Sequence, residues 1–129
     1  MKKTGILNRD LAAILARLGH TDTIIIADCG LPIPDESKCI DLSVTLGVPN
    51  FESILQAIAD DMEIENITLA KEMKQHNDLL HERVLSYSKS INYISHENVK
   101  AQIKHAKAVI RTGENTPYAN AILQSGVIF

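Results

Sequence analysis

Leu18-Gly19-His20-Thr21-Asp22-Thr23-Ile24-Ile25-Ile26-Ala27-Asp28-Cys29-Gly30-Leu31-Pro32-Ile33-Pro34 decides how this chain folds. Ile24, Ile25 and Ile26 form a β-branched run between two polar clusters. Such side chains suit a pleated sheet covered on both faces, so the run predicts a buried strand. Gly19 ends any element on its N-terminal side; Cys29-Gly30 and the two prolines end the strand on its C-terminal side. A histidine thus stands just before the strand and an aspartate at its carboxyl end. In open α/β sheets ligands sit outside the carboxyl ends of the strands. Asp28 is therefore the first candidate site residue, and His20 the first candidate proton carrier.

Outward from this stretch, helical and extended patterns alternate. Asn8 or Asp10 can cap a helix that carries Leu11, Ile14, Leu15 and Leu18 at helical spacing. Residues 40–44 alternate and predict a second strand. Pro49 or Asn50 opens a helix through about Asp60, with Phe51, Ile54, Leu55 and Ile58 inward. Residues 63–68 read weakly as a strand. Residues 69–85 hold the longest helical pattern, which Asn77-Asp78 can divide. Residues 87–94 are ambiguous, with Ile91, Tyr93 and Ser95 suggesting a strand. Ser95 caps a helix carrying Val99, Ile103 and Ala106, and residues 108–111 are another buried strand. Residues 112–120 form a polar loop. Residues 121–123 and 127–129 close the chain, and the apolar Val127-Ile128-Phe129 predicts a last strand buried in the sheet, or else burial between subunits. The class expected is α/β, one compact domain over 1–129, with a mainly parallel central sheet flanked by helices.

Composition narrows the function. Hydrophobic residues make up 45%, enough for a packed core. The formal net charge is −3 and no basic stripe is present, which argues against nucleic acid. The apolar runs are too short to span a bilayer, and the start lacks a signal peptide's apolar region. A cytoplasmic protein is expected, with Cys29 and Cys39 as free thiols. Tryptophan is absent and aromatics are 4%, which does not support a sugar-stacking platform.

Familiar catalytic signatures are missing. There is no Walker loop, no GxGxxG and no GxSxG elbow. His81-Glu82 and His96-Glu97 fail the HExxH zinc pattern, because Leu85 and Lys100 stand where the second histidine would be. No metal or cofactor is implied. Of the five histidines, His76, His81 and His105 lie on polar helix faces and read as solvated. His20 lies in a loop, where functional groups concentrate. His96 sits just inside a helix start, where the dipole disfavours the imidazolium, and shares a face with Lys100 and Lys104. His20, Asp28, His96, Lys100, Tyr118 and Asn120 all fall in or beside loops and helix starts. Together they supply donors and acceptors suited to a small polyhydroxylated ligand.

Four segments carry a resemblance. They are residues 1–8, Arg17-Leu18-Gly19-His20-Thr21-Asp22, Asp28-Cys29-Gly30-Leu31-Pro32-Ile33-Pro34, and Arg111-Thr112-Gly113-Glu114 leading to Pro117-Tyr118-Ala119-Asn120. They resemble the ribose pyranase and fucose mutarotase family, over essentially the whole chain. The Gly-His-Thr-Asp and Gly-Leu-Pro-Ile-Pro wording favours the ribose branch. The resemblance implies a ring-forming subunit in a homodecamer of stacked rings, with D-ribose in a cleft between neighbouring subunits and no cofactor. By motif, His20 would be the proton donor. Asp28, His96, Tyr118, Ala119 and Asn120 would bind substrate, with Lys100 beside them. The implied reaction exchanges β-pyranose and β-furanose ring forms. A non-catalytic ribose-binding accessory protein of a transporter and a sugar-phosphate isomerase are the rival readings.

Overall fold

The computed structural model describes residues 1–129. Six strands make one sheet: β1 (Thr23–Ala27), β2 (Cys39–Asp41), β3 (Ile64–Ala70), β4 (Ile91–Ile94), β5 (Val109–Arg111) and β6 (Ala121–Ser125). Their order is β2-β5-β1-β6-β3-β4. The pairs β2/β5, β5/β1 and β3/β4 are parallel, whereas β6 runs antiparallel to both of its neighbours, β1 and β3. Five strands thus point one way and β6 the other, which makes the sheet mainly parallel.

Helices cover both faces. They are α1 (Arg9–Arg17), α2 (Phe51–Ala59), α3 (Met73–His76), α4 (Asp78–Val84) and α5 (His96–Gln102). β1 shows why its isoleucines run without a break. Ile24 and Ile26 enter a core with Leu11 and Ile14 of α1, Phe51, Leu55 and Ile58 of α2, and Val84 of α4. Ile25 and Ala27 point to the other face, against Val99, Ile103 and Leu31. Alternate side chains leave a strand on opposite sides, so a strand covered on both must be apolar throughout. All three isoleucines are 0% exposed, each worth about 1.5–3 kcal/mol of burial. Asn8 Oδ1 accepts from Leu11 N, Asn50 Oδ1 from Ser53 N and Ser95 Oγ from Asn98 N, which starts α1, α2 and α5 as their capping residues predict. No helix is long and apolar enough to cross a membrane. Both cysteines are free.

Three expectations need correction. The helical pattern at 69–85 begins as strand: Leu69 pairs with Tyr93 on one side and Ala121 on the other. Pairing on both edges with full burial overrides helix propensity there. Asn77 then divides what remains into α3 and α4. His81 is buried rather than solvated, its Nε2 2.6 Å from the Tyr93 hydroxyl of the edge strand. Finally, Val127, Ile128 and Phe129 form no strand and are 38%, 90% and 100% exposed. Ser125 ends the pairing of β6, so these side chains project beyond the sheet.

Candidate functional site

Because β6 is reversed, its start lies beside the carboxyl ends of β1 and β3. Asp28 follows β1 and Asn120 precedes β6, and the two interlock. Asn120 Nδ2 donates to Asp28 Oδ2 at 3.1 Å, and the Asp28 N–H donates to Asn120 Oδ1 at 3.0 Å. The Gly30 N–H donates to Asp28 Oδ1 at 2.9 Å. The Asp28 carboxylate is thereby fixed in direction yet remains partly accessible. Carboxylate oxygens have several lone-pair sites each, so it can still accept from a hydroxyl.

Tyr118 approaches from the preceding loop with φ +56°. A bulky residue in that region costs on the order of 1–3 kcal/mol, and such positions cluster at functional sites. Asn77 Nδ2 holds the loop by donating to Thr116 Oγ1 and the Pro117 carbonyl, both at 2.9 Å. The chain doubles back over buried Ala119, with the Asn120 N–H donating to the Tyr118 carbonyl. The Tyr118 ring meets His76 at 5.6 Å and His96 edge-on at 5.1 Å between centroids.

His96 is the first residue of α5, and Lys100 lies one turn on along the same face. Lys100 Nζ sits 2.6 Å from Glu97 Oε1. The hydrogen bond from Lys100 holds the Glu97 carboxyl below its ordinary pKa. Glu72, between β3 and α3, accepts the His96 N–H on Oε2 at 2.9 Å. Its Oε1 and the His96 Nδ1 are sealed from solvent without a hydrogen-bond partner. A buried unpaired polar group typically costs about 1–3 kcal/mol, so such atoms call for a reason. The structure thus gathers Asp28, His96, Tyr118, Ala119 and Asn120 at one end of the sheet, with Lys100 a helical turn beyond His96 and in contact with Glu97.

His20 lies at the other end. Its side chain is 49% exposed, with Nε2 3.1 and 3.3 Å from the two Glu65 carboxylate oxygens at the start of β3. Gln124, near the end of β6, donates to Glu65 Oε2 at 2.8 Å. The hydrogen bond from His20, with a smaller contribution from Gln124, lowers the Glu65 pKa. Thr21, beside His20, has φ +70°, an outlier for a β-branched residue. Its N–H donates to the Ser125 carbonyl at 2.9 Å. A cavity of about 320 Å³ adjoins His20, walled by Leu15, Leu18, Met62, Ile128 and Phe129. Strained backbone therefore marks both ends. The four Cα steps of β1 alone span ~13 Å, with His20 before them and Asp28 after.

Glu72, Glu65, Asn77 and the stacking role of His76 escaped the sequence reading. Glu72 was hidden inside an apparent long helix, Asn77 was read only as a point where that helix can divide, and nothing local marks Glu65. The described side chains include no group of three or more His, Cys, Asp or Glu that could hold a metal ion.

The model of the RbsD / FucU transport protein family matches residues 1–128. A D-ribose pyranase of Shouchella clausii is 54% identical over 129 residues, covering all of both chains. One from Halalkalibacterium halodurans is 56% identical with the same coverage. The solved structure of Bacillus subtilis RbsD complexed with D-ribose is 51% identical, covers 100% of both chains and has a TM-score of 0.96. A fucose mutarotase from Streptococcus pneumoniae, solved with L-fucose, is 26% identical, covers 95% of each chain and has a TM-score of 0.78. With a fold, a length and a sequence shared from end to end, this chain belongs to the RbsD / FucU family.

Proposed function

We propose that this protein is a cytoplasmic sugar mutarotase that interconverts the β-pyranose and β-furanose forms of D-ribose. The observation that carries the reading is the interlocked Asp28–Asn120 pair beside Tyr118 and His96, in a chain 51% identical to a protein solved with D-ribose. A polar, partly open cluster of this kind matches the alternating donors and acceptors of a sugar's hydroxyls.

Ring opening needs a base to take the anomeric hydroxyl proton and an acid to protonate the ring oxygen. The C1–ring-oxygen bond breaks as the C1 carbonyl forms. The aldehyde then rotates, a different hydroxyl attacks C1, and the two proton transfers run in reverse. His20 is the acid, its imidazole exposed at its sheet end where a neighbouring subunit's sugar can reach it. The open Nε2 of His96 is the base. Asp28 and Asn120 hold hydroxyls, with Tyr118 and Lys100 beside them.

Both groups act on one sugar when His20 comes from a neighbouring subunit. The exposed Ile128 and Phe129 beside His20 support that arrangement, since such patches mark contact surfaces. We take the assembly to be a homodecamer of stacked rings, as the family resemblance implies. Saturation-transfer NMR on ribose with catalytic amounts of protein tests the function. Faster exchange between ring-form signals is expected. Unchanged exchange with measurable ribose binding would indicate a transporter accessory instead, and appearance of ribulose an isomerase.

A further inference from the structure

We propose that Glu72 is a positioning residue for His96, its carboxylate accepting the imidazole Nδ1–H so that Nε2 is left unprotonated and turned toward the sugar. The inference rests on the reading of His96 as the base, and it adds the residue that makes His96 one.

Glu72 Oε1 and His96 Nδ1 are the two side-chain atoms of the chain that are sealed from solvent without a partner. They belong to residues already joined, since Glu72 Oε2 accepts the His96 backbone N–H at 2.9 Å. In a histidine only three atoms separate the backbone nitrogen from Nδ1. A carboxylate anchored on the first therefore carries its other oxygen into the neighbourhood of the second. The two orphans are also complementary. A carboxylate only accepts, and Nδ1 donates in one of the two neutral tautomers.

The consequence for chemistry is a tautomer. A neutral imidazole can take a proton only on the nitrogen that lacks one, and the bond made by the other nitrogen decides which that is. The His96 Nε2 has no hydrogen bond within the chain and is not sealed. Tyr118, edge-on at 79° between ring planes, limits how far the imidazole can turn. With Nδ1–H held by Glu72, Nε2 presents a lone pair to an anomeric hydroxyl. A histidine without that carboxylate is free to take the Nε2–H form, which cannot accept the proton. Glu72 stands at the carboxyl end of β3 and His96 just past β4, its parallel neighbour, so adjacent strand ends set the pair.

The test is ¹⁵N NMR of the histidine side chains in the sugar-free protein, at alkaline pH where imidazole is neutral. The His96 signals are assigned by their loss in His96→Gln. The wild type should show a protonated Nδ1 and a bare Nε2. Glu72→Gln keeps an oxygen for the His96 N–H but offers an amide N–H to Nδ1, so it should move the proton to Nε2. The same variant should lower kcat for ring-form exchange by roughly tenfold to a hundredfold, the usual effect of removing such an orienting partner, with KM nearly unchanged. Glu72→Asp, which keeps the carboxylate, should restore part of both. An Nε2–H tautomer in the wild type, or a tautomer unmoved by Glu72→Gln, overturns the proposal. Because the tautomer is read without sugar, a clamped His96 in a protein that fails to speed ring exchange would sink the mutarotase reading and uphold the clamp.

Discussion

Mixing two dead variants gives the sharpest test of where the site lies. His20→Ala would remove the proposed acid, and Asp28→Ala the proposed hydroxyl anchor. Each alone should lower exchange steeply, since one positioned acid or base contributes ~10²–10⁴ in rate. Bond lengths near 1.5 Å put the outer hydroxyls of a pyranose about 6 Å apart. β1 alone holds the two residues apart by ~13 Å, and both lie outside it. Within one chain they cannot grip one sugar. If a site takes His20 from one subunit and Asp28 from its neighbour, an intact site in a mixed ring needs an Asp28→Ala subunit giving His20 and a His20→Ala subunit giving Asp28. Random equal mixing makes each choice half the time, so about a quarter of sites are whole. Reassembled mixtures should regain about 25% of wild-type exchange by saturation-transfer NMR, with mixing confirmed by native mass spectrometry. Mixed rings as dead as either parent would refute the shared site.

Other outcomes rest on single contacts. His20→Ala should leave the melting temperature nearly unchanged, because the side chain is 49% exposed, while exchange falls by ~10²-fold or more. Glu65 should titrate below the ordinary glutamate range in ¹³C NMR and move back up in His20→Ala. Its depressed pKa means the pair's contribution is present above the ordinary value and is lost as pH falls through the lowered one, in the acid range. Extensive chelation should leave exchange untouched; a stoichiometric metal that restores lost activity would contradict this. Phe51→Ala, at a wholly buried position, should cost about 3–5 kcal/mol in denaturant unfolding.

How much of this was legible before folding depends on how local each signal is. Ile24–Ile26 declared a two-sided strand, and Asn8, Asn50 and Ser95 declared helix starts, because a strand face and a cap are set by near neighbours. Leu69 and Ala70 were misread because their partners, Tyr93, Ile94 and Ala121, lie far along the chain. His81 looked solvated for the same reason: Tyr93, which holds it, belongs to another element. His20, Asp28, His96, Lys100, Tyr118 and Asn120 were grouped as loop and helix-start residues of one chemical kind, and His20 proves to lie at the other sheet end from Asp28, His96, Tyr118 and Asn120. The meeting of those four at one sheet end depends on β6 being reversed, which no local pattern states. Ile128 and Phe129 were expected in a last strand or else between subunits; they lie outside the sheet, exposed, because apolar character alone does not state what a side chain packs against.

β6 also explains why the two half-sites belong to one design. It begins next to Asn120, which grips Asp28, and ends next to Gln124, which grips the Glu65 that faces His20. Its central residues are locked on both sides: Ile122 pairs with Ile25 and Thr68, Leu123 with Ile24 and Ile67. A strand paired on both edges cannot slip by one residue without turning every side chain to the wrong face. The separation and relative facing of the two half-sites are therefore fixed by the most rigid part of the sheet. Strain at Thr21 and Tyr118 sits just outside that strut, where backbone must leave the regular pattern to aim His20 one way and the tyrosine the other. On the proposed reading, a subunit built in this way would offer its acid to one neighbour and bind its own sugar beneath another's. That suits a reaction in which the protein must hold a proton donor still on one side of a ring while the opened sugar rotates on the other.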